Sequence, residues 1–159
     1  MSPEDAIRRA EIGALYADYA HCLDNDELEA WPGFFTEDCR YRITSAENYE
    51  AGLPIGIVYA TSQAMLADRV MALRKANIYE PQRYRHIVGA LKLGPEEDGA
   101  VPVVANLIVV RTMQDGAMLL FAAGRYVDRL VRRDGGWKFA RKEVVLDSRQ
   151  IDTLLAIPL

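Results

Sequence analysis

The feature that most constrains this chain is a change in the spacing of its apolar residues near Arg83. Before that residue, apolar side chains recur every three to four positions, which is typical of amphipathic helices. After it, they alternate with polar ones in four long segments separated by the turn signals GPEEDG, QDG and DGG, which favour antiparallel hairpins. Helices followed by such a meander predict an α+β domain, in which helices cover one face of a strongly curved, cone-shaped antiparallel sheet.

Three helices are predicted in the first half of the chain. Ser2 and Asp5 form a capping-box pattern in front of the first. A second, shorter helix is predicted over the aromatic-rich segment DNDELEAWPGFF, with a bend or early stop at Pro32 and Gly33. A third is predicted to begin at a cap, Thr61 or Ser62. The aromatic side chains of the second segment would fill the wide mouth of the cone.

The strand signals outside the meander are short. CRYRIT starts a strand, and the glycine- and proline-containing residues 46–60 predict a loop with at most one strand, around GIVYA. Gly89 and Gly124 each lie inside a strand pattern of the meander. We predict them as bulge positions, where the sheet would acquire its curvature.

Composition sets the class of protein. The 159 residues fit one domain, residues 1–159, and with 50% apolar and 26% charged residues the chain is typical of globular proteins. Its net charge of −4 argues against a nucleic-acid partner. No apolar run is long enough to span a bilayer and no signal arrangement is seen, so we predict a cytoplasmic protein without a membrane partner.

Candidate metal ligands are few. The soft or borderline ones are His21, Cys22, Cys39 and His86, and their spacing matches no zinc motif. The two histidines with Asp24 would supply the residue types of a mononuclear iron site, but nothing in the sequence places them together. We therefore predict no metal site, and two reduced, buried thiols.

Acid–base catalysis inside the cone is the sharper alternative, because burial can move a histidine or aspartate pKa towards neutrality. The candidates are Asp24, Tyr41, His86 and Asp128. His86, Asp24 and Asp128 also have structural interpretations: His86 as a core or interface histidine, and Asp24 as the cap of the second helix. Asp128 and Asp147 would then pair with strand arginines such as Arg129 and Arg141.

Arginine dominates the basic residues of the four late segments. These arginines are Arg83, Arg85, Arg111, Arg125, Arg129, Arg132, Arg133 and Arg141. They are compatible with a solvated sheet face, but arginine is also favoured at protein interfaces, where its planar fork pairs carboxylates and its stem covers apolar surface. We predict an interface, with Arg83, Arg85, Arg125 and Arg129 as its candidate residues.

Three segments resemble the small, or beta, subunit of Rieske-type aromatic-ring-hydroxylating dioxygenases. They are YADYAHCLDNDELEAWPGFFTEDCRYRI, ANIYEPQRYRHIVG and GRYVDRLVRRDGGWKFARKEVVLDS, and the resemblance spans nearly the whole chain. Its most specific parts are the helix pair ending in the aromatic cluster, the Arg85–His86 pair and the final Asp-Gly-Gly hairpin. Within the family, residues 56–87 look most like the terephthalate dioxygenase small subunit, followed by salicylate, anthranilate and benzoate relatives.

The resemblance implies a fold like that of nuclear transport factor, scytalone dehydratase and ketosteroid isomerase. It also implies a hexamer of three large (alpha) and three small (beta) subunits. The large subunit would carry the Rieske [2Fe-2S] cluster and a mononuclear non-haem iron, and a reductase component would act on it. The small subunit would be mainly structural, with no catalytic, cofactor-binding or metal-binding residue, in agreement with its lack of a Rieske ligand pattern.

The sequence therefore predicts a non-catalytic subunit of a dioxygenase acting on a single-ring aromatic acid, with terephthalate as the first candidate. The alternative is a stand-alone isomerase or dehydratase of the cone fold, using His86 and Asp24. Both alternatives share the fold, and fold alone does not assign chemistry.

Overall fold

The computed structural model describes residues 1–76, 81–148 and 157–159. Its helices are α1 (Pro3–Asp24), α2 (Ala46–Glu50) and α3 (Gln63–Ala76), with a 3-10 turn at Trp31–Phe34. Its strands are β1 (Phe35–Ser45), β2 (Val58–Ala60), β3 (Gln82–Val88), β4 (Lys92–Leu93), β5 (Ala100–Met113), β6 (Met118–Arg133) and β7 (Gly136–Leu146). The predicted α+β class is confirmed, and none of the described helices is long and apolar enough to cross a membrane.

Helix α1 begins at the predicted capping box. The Ser2 hydroxyl accepts a hydrogen bond from the Asp5 backbone N–H at 3.1 Å, which satisfies one of the donors left free at a helix start. The apolar face of α1 packs on the sheet and buries Ile12, Tyr19 and Leu23. This helix closes one side of the cone.

The aromatic segment after α1 forms a shorter, more tightly wound turn than the helix predicted for it. Only Trp31–Phe34 forms a 3-10 turn, and Phe35 is already the first residue of β1. Pro32 has no backbone N–H to donate and so cannot continue a regular helix from the preceding turn. Trp31 and Phe35 are nevertheless buried in the core, as expected for residues that fill the cone.

The segment between β1 and α3 contains a short helix that was not predicted. Helix α2 is capped by Ser45, whose hydroxyl accepts from the Asn48 backbone N–H at 3.2 Å. Strand β2 is the single strand expected in this region. The cap predicted for the third helix is confirmed, since the Ser62 hydroxyl accepts from the Met65 backbone N–H at 3.2 Å.

The seven strands form one curved sheet in the order β2-β1-β7-β6-β5-β3, with β4 paired to β5. The predicted antiparallel pairing holds for every pair of named strands in it except β1 and β7, which run parallel. Parallel neighbours require a long crossover connection, and here that crossover includes α2, α3 and the strands β2–β6.

Three irregularities bend the sheet among β3 to β7, in addition to the β1–β7 register shift between Phe35 and Arg40. The β5–β6 register shifts at Val109/Val110, which leaves Phe121 unpaired in β6, and the β6–β7 register shifts at Arg129/Leu130, which leaves Ala140 unpaired in β7. The third is the break that Gly89 opens between β3 and β4, across which the pairing with β5 also shifts.

Gly124 is not a bulge, contrary to the prediction, because it pairs in register with both Leu107 and Leu146. A Cβ built there would lie 2.1 Å from the Val145 carbonyl oxygen. Glycine is required at this position by close approach of the neighbouring strand rather than by an extra residue.

Aromatic rings fill the interior of the cone. Tyr19, Trp31, Phe35, Tyr41, Tyr126 and Phe139 are all fully buried and meet one another edge to face or tilted. The backbone oxygen of Leu159 accepts hydrogen bonds from the hydroxyls of Tyr19 at 2.9 Å and Tyr41 at 2.8 Å. The segment 157–159 is therefore packed against these rings as part of the core.

Candidate functional site

The candidate site residues of the core include an ion pair that was not predicted. Asp128 and Lys142 face each other from β6 and β7, with the lysine Nζ 2.8 Å from Asp128 Oδ2 and both side chains fully buried. The Tyr16 hydroxyl donates to the same carboxylate oxygen. The predicted pairing of Asp128 with strand arginines is wrong, because successive strand residues point to opposite faces and Arg129 points outward.

Lys142 lies in a cage of aromatic rings. Its Nζ is 3.4 Å from the Tyr126 ring centroid and 4.1 Å from that of Phe139, within the range of cation–π attraction. Burial lowers the pKa of Lys142 to about 8, and burial also raises the pKa of Asp128 above its ordinary value. The mutual attraction of the two charges opposes both shifts, so the geometry indicates a structural ion pair without access to a substrate.

Asp24 and His86 are brought together, at the end of α1 and in β3. The Asp24 carboxylate accepts from the His86 backbone N–H at 3.1 Å, and its Oδ1 lies 2.7 Å from the ring Nδ1. Asp24 is thus the last residue of α1, where it ties that helix to β3, and not the predicted cap of the second helix. A cleft of about 370 Å³ between α1 and the β3–β4 break adjoins the pair.

The orientation of His86 resembles that of a general base, since a carboxylate on Nδ1 leaves Nε2 as the acceptor of a neutral ring. The histidine side chain, however, is 0% exposed, and its Nε2 has no hydrogen-bond partner among the described residues. A substrate could reach Nε2 only if the surrounding residues moved. The geometry therefore favours the structural interpretation of His86.

Of the remaining candidates, His21 lines the same cleft as Asp24 and His86, whereas Cys39 and Tyr41 lie on β1. Tyr41 is held by Leu159, and burial raises its pKa well above the ordinary value. Burial raises the pKa of Cys22 and Cys39 to about 11, which keeps both thiols protonated at neutral pH, and both are free cysteines. Over residues 1–76, 81–148 and 157–159, no group of three or more His, Cys, Asp or Glu side chains could hold a metal ion.

The four predicted interface arginines all lie on the outer face of the sheet, opposite α1. Arg83 and Arg85 are exposed on β3, and Arg125 and Arg129 are half-buried on β6. Between them runs an exposed apolar strip, in which the exposed fractions are 57% for Ile87, 43% for Ile108 and 62% for Leu120. We call this strip with Arg83, Arg85 and Arg125 the outer apolar face.

A second arginine cluster on the same face was not predicted as a unit. Arg40 of β1 lies opposite Arg141 of β7, and Arg141 lies opposite Arg129 of β6, so three arginines form one row across three strands. Beside this row, Arg42 pairs with Glu143 at 3.1 Å. These side chains line a groove of about 730 Å³, which we call the arginine groove.

The sequence does contain a local signal for this groove. Arg40 and Arg42 alternate in CRYRIT, and Arg141 and Glu143 alternate in FARKE, so each pair points to one face of its strand. What the sequence does not show is that β1 and β7 are neighbours. Arg141 accordingly pairs with Glu143 at 3.0 Å, rather than with Asp147 as predicted.

Comparison with known proteins assigns this chain to a family. Residues 19–153 match the family model described as the ring hydroxylating beta subunit. The chain is 44% identical to the anthranilate 1,2-dioxygenase small subunit of Burkholderia cepacia, covering 98% of this chain and 97% of that protein. It is 43% identical to the terephthalate 1,2-dioxygenase terminal oxygenase subunit beta 1 of a Comamonas species, covering 96% and 99%.

Solved structures agree with these relatives. A beta subunit from Novosphingobium aromaticivorans, assigned to an aromatic-ring-hydroxylating dioxygenase, superposes with a TM-score of 0.89 at 37% identity over 98% of this chain and 99% of that one. A protein of the same organism assigned as a scytalone dehydratase shares the fold, with a TM-score of 0.70 at 18% identity over 93% and 89%. The chain therefore belongs to the family of aromatic-ring-hydroxylating dioxygenase beta subunits.

Proposed function

We propose that this chain is the structural subunit of the terminal oxygenase component of a dioxygenase that acts on a single-ring aromatic acid. The two relatives above are named for anthranilate and terephthalate, both aromatic rings that carry a carboxylate, and they are matched almost equally, at 44% and 43% identity. Their near equality supports the substrate class. Terephthalate is the first candidate within it.

The observation that carries the structural role is the filled interior of the cone. Six aromatic side chains and Leu159 occupy the space, and the two charged side chains among them, Asp128 and Lys142, form an ion pair with each other. A cone packed in this way uses its interior for stability. The surface that remains for function is the outer face of the sheet.

The proposed partner is the alpha subunit of the same oxygenase. We propose an assembly of three alpha and three beta subunits in the cytoplasm, in which the alpha subunit holds the Rieske [2Fe-2S] cluster and the mononuclear iron and is reduced by a reductase component. The absence of a metal-binding cluster from the described part of this chain fits that division of labour.

We propose that the outer apolar face contacts the alpha subunit. Permanent hetero-complexes commonly bury more than about 2,000 Å², with an apolar centre and arginine among the enriched residues. The exposed strip of Ile87, Ile108 and Leu120 provides such a centre, and Arg83 and Arg85 lie beside it on β3. Arg129, the fourth predicted position, belongs to the adjoining arginine groove.

A stand-alone isomerase or dehydratase using His86 and Asp24 is not favoured. The enzymes that share this fold at low identity show only the fold, and the catalytic nitrogen that such a reaction would need, His86 Nε2, is sealed inside the protein. The two proposals nevertheless differ in a measurable way.

The test compares the purified chain with its complex. Alone, the chain should bind no stoichiometric iron and hydroxylate no aromatic acid. In the complex, Asp24→Asn and His86→Gln should leave turnover per assembled, iron-loaded oxygenase within a few-fold of wild type, because neither residue takes part in the chemistry.

Two results would contradict the proposal. One is ring-hydroxylating turnover with bound iron in the isolated chain. The other is a loss of about 100-fold or more in either variant once assembly and iron content are matched, since removal of a general acid or base costs roughly that much.

A further inference from the structure

The arginine groove concentrates like charges that the fold itself does not neutralise. Arg40, Arg141 and Arg129 occupy directly opposed positions on β1, β7 and β6. Neighbouring strands are only about 4.8 Å apart, and like charges placed opposite each other on a sheet destabilise it. A negative charge placed among these arginines would relieve their repulsion.

The groove supplies little of that charge from within. Among the described residues, Glu143 is the carboxylate whose side chain faces the groove, and it is shared by Arg42 and Arg141. Within the described residues, the Arg40 side chain donates to the neutral hydroxyl of Tyr59, at 3.2 Å. Asp128, on the same strand as Arg129, is turned into the core and bound to Lys142.

The groove therefore has a local excess of positive charge, whereas the net charge of the whole chain is negative. Four arginines and one glutamate face the groove, whereas the whole chain has a net charge of −4. Two of the guanidinium groups are already engaged, Arg42 with the Leu53 carbonyl at 2.8 Å and Arg141 with Glu143, whereas Arg40 is oriented by the neutral Tyr59 hydroxyl. Positioned guanidinium groups bind carboxylates in a bidentate manner, at little further cost in side-chain entropy.

We propose that the arginine groove binds the carboxylate side chains of an acidic segment of the partner oxygenase subunit. This inference rests on the proposed function and adds to it a second contact, of defined chemistry, beside the outer apolar face. Arg40 and Arg129 are the receiving residues, because neither has a carboxylate partner in the described parts of the chain.

The shape of the groove favours a protein segment over a small aromatic acid. Sites for small molecules are typically concave, mostly apolar and closed around most of the ligand. This groove instead lies along the outer surface of three strands, and its lining combines four arginines and Glu143 with side chains such as Tyr49, Leu53 and Tyr59. It also lies on the same sheet face as the outer apolar face, so one partner could cover both.

The first experiment measures binding of the chain to its partner large subunit as a function of NaCl concentration. The variants are Arg40→Glu, Arg129→Glu and their double, with Arg40→Gln/Arg129→Gln as a milder pair. Arg9→Glu, an exposed position of α1, makes the same charge change outside the groove and serves as the matched control. Thermal unfolding of each variant confirms that it is folded.

We expect the double charge reversal to weaken binding at least tenfold, with a shallower dependence of log Kd on log[NaCl], and the glutamine pair to have a smaller effect of the same kind. Arg9→Glu should bind within twofold of wild type. If the double reversal binds as well as Arg9→Glu, the groove inference is overturned while the proposed function stands. If the wild-type chain does not bind the large subunit at all, both fail.

The second experiment identifies what occupies the groove. Arg129→Lys places an amine there, which a carbodiimide couples to a carboxylate in contact with it; mass spectrometry then locates the cross-link. A link to an acidic residue of the large subunit supports the inference. A link to a second copy of this chain, or saturable binding of terephthalate or anthranilate that the double reversal abolishes, overturns it.

Discussion

At the scale of single residues, the environment of Lys142 has the clearest energetic consequence. An ammonium group inside an aromatic core has lost its water, and here it is stabilised by one carboxylate and several ring faces. The same carboxylate depends on Lys142 and Tyr16 for its own stability. The two charges therefore belong to one unit, and removing either leaves the other without compensation.

We expect Lys142→Met to lower the free energy of unfolding by about 3–5 kcal/mol at pH 7, because Asp128 would stay buried without its cation. The double variant Lys142→Met/Asp128→Leu should lose much less than the sum of the two single changes. Urea unfolding of all three proteins measures this coupling. Lys92→Met, on the exposed strand β4, is the control and should stay within about 0.5 kcal/mol of wild type.

The loss in Lys142→Met should also depend on pH. Burial raises the folded-state pKa of Asp128 above its ordinary 3.8, so the folded protein holds this proton when the unfolded chain has released it, and stability falls as pH rises through that window. Lys142 opposes the shift, so its removal widens the window. The difference in the free energy of unfolding between wild type and Lys142→Met should therefore grow between pH 4 and pH 7. A difference that stays constant would contradict the role assigned to the ion pair.

At the scale of elements, the contact between β6 and β7 depends on a position that only glycine can occupy. The atoms nearest to a Cβ at Gly124 are the backbone oxygen of Val145 and the Cα of Leu146, at 2.1 and 2.9 Å. Backbone atoms in a paired strand cannot rotate away as a side chain can. The pairing of β6 with β7 therefore leaves no room for a side chain at position 124.

We expect Gly124→Ala to destabilise the chain by about 3 kcal/mol or more, at or above the upper end of the cost of overpacking, because two central strands would have to separate. Gly136→Ala is the matched change, since a Cβ at the start of β7 meets nothing within 4 Å. Thermal unfolding of both variants makes the comparison. Equal stability of the two would show that the strands accommodate the methyl group.

Local patterns predicted the elements well and their neighbours less well. The alternation after Arg83 identified the strands of the meander, and cap chemistry identified the starts of α1 and α3. The helix predicted over the aromatic segment is wrong: the apolar spacing favoured a helix, but the residues around Pro32 form only a 3-10 turn.

The sequence did not predict which distant strands become neighbours or in which register they pair, because local periodicity does not encode either. The row formed by Arg40 and Arg141, and the cleft beside Asp24 and His86, exist because strands or helices far apart in the chain become neighbours. Asp128 and Lys142 could not be paired from the sequence either, since the Ala140 bulge changes which β7 residues face inward.

At the scale of the whole molecule, the two faces of the sheet have different tasks. The inner face and α1 enclose the aromatic core, whereas the outer face exposes Ile87, Ile108 and Leu120 beside arginines. Apolar side chains exposed in one strip of neighbouring strands are typical of a surface that another protein covers.

We expect Ile108→Asp, or charge reversal at Arg83, Arg85 or Arg125, to yield a folded small subunit that co-purifies poorly with the large one. A central position should weaken binding by at least about 2 kcal/mol, or roughly 30-fold, because a carboxylate would be desolvated without a partner. Co-expression followed by size-exclusion chromatography measures the effect.

Arg9→Glu again controls for charge in this comparison, since Arg9 is exposed on α1. Intact complexes in every variant of the outer apolar face would mean that this face remains in contact with solvent, and the interface with the large subunit would then lie elsewhere.

The parallel pairing of β1 with β7 has a consequence for how the protein is made. Residues 40–45 pair with residues 141–146, about a hundred positions later in the chain. At a synthesis rate of roughly 5–20 residues per second, β1 leaves the ribosome some 5–20 seconds before its central neighbour exists. Throughout that interval, one edge of β1 has no native partner strand, so we expect the nascent chain to expose this edge until β7 has been translated.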